Sequence, residues 1–365
     1  MRRARTQLIV TLAGLAGLAC AAAVLAPVPA SASHRDGHHR TPSWMPVPTG
    51  STQQFRGLDA VNRRVAWVGG SDGAVLRTTN GGATWKDVSP RNTTGLLFRD
   101  VEARDARHAS VLAIGVQTAS RIYTTRNGGR TWKLAFVNHD PNAFYDCMAF
   151  FPGGRRGLAV SDPVNGKFRI IATNDAGLSW RVLPSRGMPP AANGEFGFAA
   201  SGTCLVTSSS RDAWLASGGS VARIFHSADG GRHWSVADQP IPANPDGAGG
   251  VFSLAFRDRD DGVAVGGDFN APDNGVKMSA RLVRHGRHWA SGGNLSGYRS
   301  GVAWVRGRPD TVVAVGPNGS DVSFNGARRW TRFDGADYDA VSCTPDGSCW
   351  ASGPNGAVAR LVWSH

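Results

Sequence analysis

Thr78-Thr79-Asn80-Gly81-Gly82-Ala83-Thr84-Trp85 decides the architecture, because it returns along the chain. A second copy is Thr125-Arg126-Asn127-Gly128-Gly129-Arg130-Thr131-Trp132, and a third is Thr173-Asn174-Asp175-Ala176-Gly177-Leu178-Ser179-Trp180. The fourth reads Ser227-Ala228-Asp229-Gly230-Gly231-Arg232-His233-Trp234, and the sixth Ser323-Phe324-Asn325-Gly326-Ala327-Arg328-Arg329-Trp330. The fifth is worn down to His285-Gly286-Arg287-His288-Trp289. Self-similarity at a fixed period is the mark of a repeat architecture. Within each copy the side chain of Asn80, Asn127, Asp175, Asp229 or Asn325 can accept backbone N–H bonds in a tight turn. The glycines allow positive φ there. Trp85, Trp132, Trp180, Trp234 and Trp330 then enter the next strand and pack between layers. All ten are read as structural.

A second unit precedes the boxes. Val65-Ala66-Trp67-Val68-Gly69-Gly70, Asp212-Ala213-Trp214-Leu215-Ala216 and Gly262-Val263-Ala264-Val265-Gly266 are apolar strands ending near glycine turns. Thr311-Val312-Val313-Ala314-Val315-Gly316 and Cys349-Trp350-Ala351-Ser352-Gly353 repeat the pattern. Four short strands per period of roughly 46 residues fit a propeller blade. The expected fold is all-β, a seven-bladed β-propeller of four-stranded blades over residues 43–365. The last blade lacks a box. Ser43-Trp44-Met45-Pro46-Val47-Pro48 resembles the post-box strand Ser179-Trp180-Arg181-Val182-Leu183-Pro184. It is expected to close the ring against that blade and so protect its open edge.

The boxes resemble the Asp-box, or bacterial neuraminidase, repeat, whose role in that family is to fold blades. At the level of repeats, residues 55–363 resemble the photosystem II stability/assembly-factor propellers. The resemblance to sialidases is more distant. That family needs three arginines, a Tyr–Glu pair and an Arg-Ile-Pro signature, and Phe168-Arg169-Ile170-Ile171 lacks the proline. Chains of this kind are sometimes labelled oxidoreductases, but no dinucleotide fingerprint or redox motif supports that here.

Composition agrees with the repeat. Of 365 residues, 47 are Gly, 20 Pro and 12 Trp, which argues for many tight turns and against long helices. The net charge is +13. The arginines are scattered, with no run longer than two, which points away from nucleic acid as a partner.

The N-terminus reads as a targeting segment. Arg2, Arg3 and Arg5 precede an apolar run from Leu8 to Ala26, and Ala30-Ser31-Ala32 supplies small residues for cleavage. Residues 1–32 are expected to be removed, leaving no stable membrane span. An uncleaved anchor is the alternative. Residues 33–42, with His34, His38 and His39, are expected to form a solvated linker. The protein is then secreted or extracytoplasmic, where cysteines can pair. Cys343 and Cys349 flank a five-residue turn and are expected to bridge a hairpin. Cys147 and Cys204 lie in the first strands of neighbouring blades, either paired or as two buried thiols.

With strands a to d numbered outward from the axis, the boxes are c–d turns. The long connections are b–c or d–a, on the opposite face, and insertions gathered on one face mark a binding face. There the chain brings Asp146, Asp162, Glu195, Asp268, Tyr298 and Arg299, the expected ligand-binding residues, with Asp72, Asp100 and Asp339 nearby. No metal, cofactor or catalytic assignment is expected. The leading reading is a monomeric, non-enzymatic propeller that binds a protein or glycan partner at the channel mouth. The rival is a glycoside hydrolase or lyase using carboxylates at that mouth.

Overall fold

The computed structural model describes residues 40–283 and 288–364. The apolar leader, the histidines of the linker and His285 to Arg287 of the fifth box lie outside the described residues. Each repeat supplies four short strands that pair antiparallel in chain order. Blade 1 is Phe55–Ala60, Ala66–Gly70, Val75–Thr78 and Lys86–Asp87. Blade 2 starts at Leu97–Ala103, blade 3 at Tyr145–Phe150 and blade 4 at Leu205–Thr207. Blades 5, 6 and 7 start at Gly249–Phe256, Gly301–Trp304 and Ala340–Cys343. The seven blades form a propeller.

The ring closes as the sequence predicts. Pro42–Pro46 pairs antiparallel with Val358–Trp363 as the outer strand of blade 7. Trp44 is buried against blade 6, donating from Nε1 to Ser320 Oγ at 2.9 Å and packing on Tyr338 and Phe333. It does for blade 7 what a box tryptophan does elsewhere.

The boxes are knitted internally. Thr78 Oγ1 accepts the N–H of Gly82 at 2.9 Å, and Asn80 Oδ1 accepts the N–H of Thr84 at 3.0 Å. The other boxes repeat this at Thr125 and Asn127, Thr173 and Asp175, Ser227 and Asp229, and Ser323 and Asn325. Each box also donates an N–H to the a–b turn beside it, as from Gly81 to Arg64 O at 2.9 Å. Gly82 needs its hydrogen: φ is +89°, and a Cβ there would lie 2.1 Å from Val47.

Apolar side chains fill the seams between blades rather than one central core. Near the axis, side chains of one blade hold backbone of the next. Asp59 accepts the N–H of Ala103 at 2.6 Å, Glu102 that of Phe150 at 3.2 Å, and Ser253 Oγ that of Val302 at 3.0 Å. Asp100 and Ser342 make the same kind of bond, to Met148 and Ala60. Disulfides join Cys343 to Cys349 within blade 7 and Cys147 to Cys204 between blades 3 and 4.

One element has no counterpart in the repeat. Glu195–Phe196 and Gly218–Gly219 pair with each other and extend the inner edge of blade 5 through Gly218 and Gly250.

Candidate functional site

Four inner strands slip register by one residue, at Arg56, Arg99, Asp146 and Phe252. A bulged residue has no cross-strand partner, and its side chain is re-aimed. In blade 7 Asp339 holds the corresponding place, its N–H bonded to Ser352 O at 2.8 Å ahead of Ala340. One column of the repeat therefore turns its side chains toward the channel end.

The segment from Glu195 to Thr203 crosses that end. Gly197 N–H bonds Asp162 Oδ1 of blade 3 at 2.8 Å, and Ala199 O accepts Arg99 Nη1 of blade 2 at 3.1 Å. Phe198 stacks on Phe252 of blade 5, with ring centroids 3.9 Å apart. Ser201 Oγ donates to Ser300 O at 2.7 Å, just ahead of blade 6. Cys204 then ties the segment's end to Cys147. The channel end is therefore plugged by its own chain, which touches blades 2, 3, 5 and 6.

The charges around this floor are mixed. Arg56 pairs with Asp339 at 3.3 Å, and Gln54 Nε2 donates to the same carboxylate at 2.9 Å. Burial still raises the Asp339 carboxyl despite Arg56. Burial and the Asp339 charge push Asp337 up to about 6. Burial lowers the Arg99 guanidinium to about 10, helped by Arg56 and opposed by Asp339, Tyr298 and Asp146. Burial also raises the Tyr298 phenol, which packs on Phe252 at 4.8 Å.

Asp146 and Asp162 lie side by side. Burial, then the Asp162 charge, lifts Asp146 well above the carboxylate range; burial takes Asp162 to about 6. No donor reaches the buried Oδ2 of Asp146. Gly197 makes room, since a Cβ there would lie 2.9 Å from Asp146 Oδ2.

The structure thus brings Asp146, Asp162 and Tyr298 together. It places the other three expected residues in separate networks. Glu195 is clamped by Arg223 and by Ser217 at 2.5 Å, with its side chain fully buried. Arg299 is wholly buried and holds Asp321 at 2.7 Å. Asp268 accepts from Asn244 at 2.5 Å and from the N–H of Asn270 at 2.8 Å in its own loop. Arg56, Arg99 and Asp337 escaped the sequence reading. The first two follow an aromatic at the start of an inner strand, as Asp146 follows Tyr145, so aligning that column would have found them.

Exposed apolar side chains lie on the same face at blades 2 and 5. Leu97 opens the inner strand of blade 2, and Val116 lies in its b–c loop. Phe269 and Val276 lie in the b–c loop of blade 5, Phe269 at 6.4 Å from Phe252. Among the described residues no helix is long and apolar enough to cross a membrane.

Fold and floor together define a plugged seven-bladed β-propeller with a charged, aromatic mouth. No protein-family profile and no curated protein matches the chain. Solved structures do. A YCF48 structure bound to a D1 peptide superposes with TM-score 0.61 at 15% identity, over 87% of this chain and 95% of that one. YCF48 from Cyanidioschyzon merolae gives 0.59 at 15%, over 87% and 98%. The Pan2 WD40 domain of Neurospora crassa gives 0.60 at 12%, over 89% and 96%. At these identities the likeness is one of fold.

Proposed function

We propose that this is an exported, monomeric, non-enzymatic propeller that holds a segment of a protein partner in the plugged mouth. The observation that carries this reading is the convergence of Arg56, Arg99, Asp146, Asp162, Asp339 and Tyr298 inside a rim with exposed Leu97, Val116 and Phe269. Mixed charge over a floor, with apolar groups at the edge, suits an extended peptide better than a single small ligand. The peptide bound by the YCF48 neighbour supports the same kind of partner. So does the resemblance of the boxes, read as Asp-box repeats, to photosystem II stability/assembly-factor propellers. The carboxyl pair does not favour a glycosidase. Those enzymes hold their carboxyls roughly 5–10 Å apart in an open cleft, whereas Asp146 is buried and lies directly beside Asp162.

The test is selection of a displayed random-peptide library on wild-type protein, with Arg56→Ala/Arg99→Ala as counter-target. Selected sequences that bind the wild type and not the variant are the expected result. Peptides that bind both equally, or a glycan array giving the only mouth-dependent signal, would replace the reading.

A further inference from the structure

The opposite face carries a second feature, and its origin is legible in the repeat. The second strand of each blade places one residue just after the partner of the box Ser or Thr. In blade 1 this residue is Trp67, in blade 3 Leu158 and in blade 4 Trp214. Each is buried and fills the seam with the following blade: Trp67 meets Trp132 and Asp105 O, and Trp214 meets Phe256 and Trp289. Blade 2 has Ser110 in that register, opposite Thr124. The large apolar side chain that Trp67, Leu158 and Trp214 supply is absent from the seam between blades 2 and 3. In its place is an open cavity of about 330 Å³, at the small end of ligand sites.

Glu102 and the Phe150 ring line this cavity on the axial side, and Arg104, Arg126, His108 and Asp175 line it toward solvent. Glu102 Oε2 accepts the N–H of Phe150 at 3.2 Å. Its other oxygen makes no hydrogen bond with the described residues. The charges acting on it are those of Asp59 and Asp100, both carboxyls, and with burial they raise it well above the carboxylate range. His108 is held by Asp105 at 2.9 Å and Asp175 is bound within its box. Arg104 stands 3.8 Å from Asp105 with no hydrogen bond to it, and its guanidinium is open to a further partner. Arg126 is exposed and, like Arg104, stands at the rim. The cavity therefore holds one carboxyl with no cationic partner inside, and guanidinium groups stand outside.

We propose that this seam is a binding site for a basic amino acid, free or as the C-terminal residue of a peptide. The cationic end enters against Glu102, its methylenes lie along Phe150, and its carboxylate stays at Arg104 and Arg126. A cation against a carboxylate that no other cation serves forms a charge-assisted hydrogen bond. The rim arginines then recognise the carboxylate bidentately.

The experiment is calorimetric titration of the whole protein with L-arginine, agmatine and citrulline. L-arginine should bind with a saturable heat. Citrulline, which lacks the charge, should bind about tenfold or more weakly, the worth of one charged hydrogen bond. Agmatine, which lacks the carboxylate, should also weaken. Glu102→Gln should abolish the preference for arginine over citrulline. Ser110→Trp, which supplies the ring found in blades 1 and 4, should abolish binding altogether. Gly-Gly-Arg and its amide distinguish the sources: binding by the free-acid tripeptide assigns a chain end, and binding by arginine alone assigns the amino acid. Equal binding of arginine and citrulline, or no binding by arginine or the tripeptide, overturns the proposal. The comparison of arginine with citrulline needs only wild-type protein and stands if a variant fails to fold.

Discussion

Trp44→Ala tests whether the N-terminal strand closes the ring energetically as well as geometrically. The side chain is 7% exposed and meets Tyr338, Phe333 and Ser320, all of blade 6 or its exit. A buried tryptophan removes roughly 150–250 Å² from water, worth about 4–6 kcal/mol at about 25 cal/mol per Å². Measured truncations of this size cost about 3–5 kcal/mol. Losing the Nε1 bond adds about 1 kcal/mol, because Ser320 Oγ keeps its burial without that partner. The expected loss is about 4 kcal/mol. With a urea dependence near 3 kcal/mol per molar, typical of larger chains, the midpoint should fall by roughly 1 M or more. Met45→Ala on the same strand is the control, since Met45 is 46% exposed on the opposite face. It should change stability by about 0.5 kcal/mol or less. Equilibrium urea unfolding followed by tryptophan fluorescence and far-UV dichroism measures both. If Trp44→Ala loses under about 1 kcal/mol, or Met45→Ala loses as much, the strand is a passive cover and the closure argument is wrong.

Other expectations follow from the buried carboxyls, the disulfides and the two faces. Asp59, at about 7, and Asp100 and Glu102 are all raised by burial. A carboxyl raised in the folded state contributes stability fully below its unfolded value near 4, and that contribution is lost as pH rises through the folded value. Melting temperature should therefore decline from about pH 5 to pH 8 through these groups, and Asp59→Asn should flatten the decline; a steeper decline in the variant would refute this. Asp229, held at about 2 by its box hydrogen bonds, acts in the opposite sense: Asp229→Ala should remove stability present above about pH 4 and change little near pH 2. Removing Cys147–Cys204, which closes 57 residues, should cost about 4 kcal/mol, against about 2 for Cys343–Cys349 with a separation of 6; equal losses on denaturant titration would show that the blade 3–4 staple adds nothing. Arg56→Ala with Arg99→Ala should abolish peptide binding with little change in melting, while Asp229→Ala should lower melting and spare binding. The reverse pattern would mean that the working face is the box face.

The parts of the fold that repeat were legible because repetition supplies its own controls. A turn with Asn80, two glycines and Trp85 is ambiguous once, but five matching copies fix the repeat length and the place of the turn within it. The closing strand was legible for the same reason, since Ser43-Trp44 echoes Ser179-Trp180. The Glu195–Thr203 plug occurs once, so no second copy marks it. Its structure comes from long-range partners, Arg99, Asp162, Phe252 and Ser300, that sequence spacing does not bring together. Glu195 begins the segment that crosses the channel end, yet its carboxylate is consumed by Arg223. Position on a face does not reveal whether a charge is already paired.

The mouth follows from a difference within the repeat. Inner-strand residues that follow Phe55, Phe98, Tyr145 and Val251 share one bulged place, yet they are Arg56, Arg99, Asp146 and Phe252. A column constrained only by blade packing should converge on similar side chains, as the box tryptophans do. This column instead presents two guanidiniums, a carboxyl and an aromatic ring to one floor. The same contrast holds at Ser110, where a seam that elsewhere receives Trp67 or Trp214 is left open. In a propeller the shared positions build the ring, and a site has to come from the places where blades depart from one another. Both sites argued above lie at such departures, one on each face.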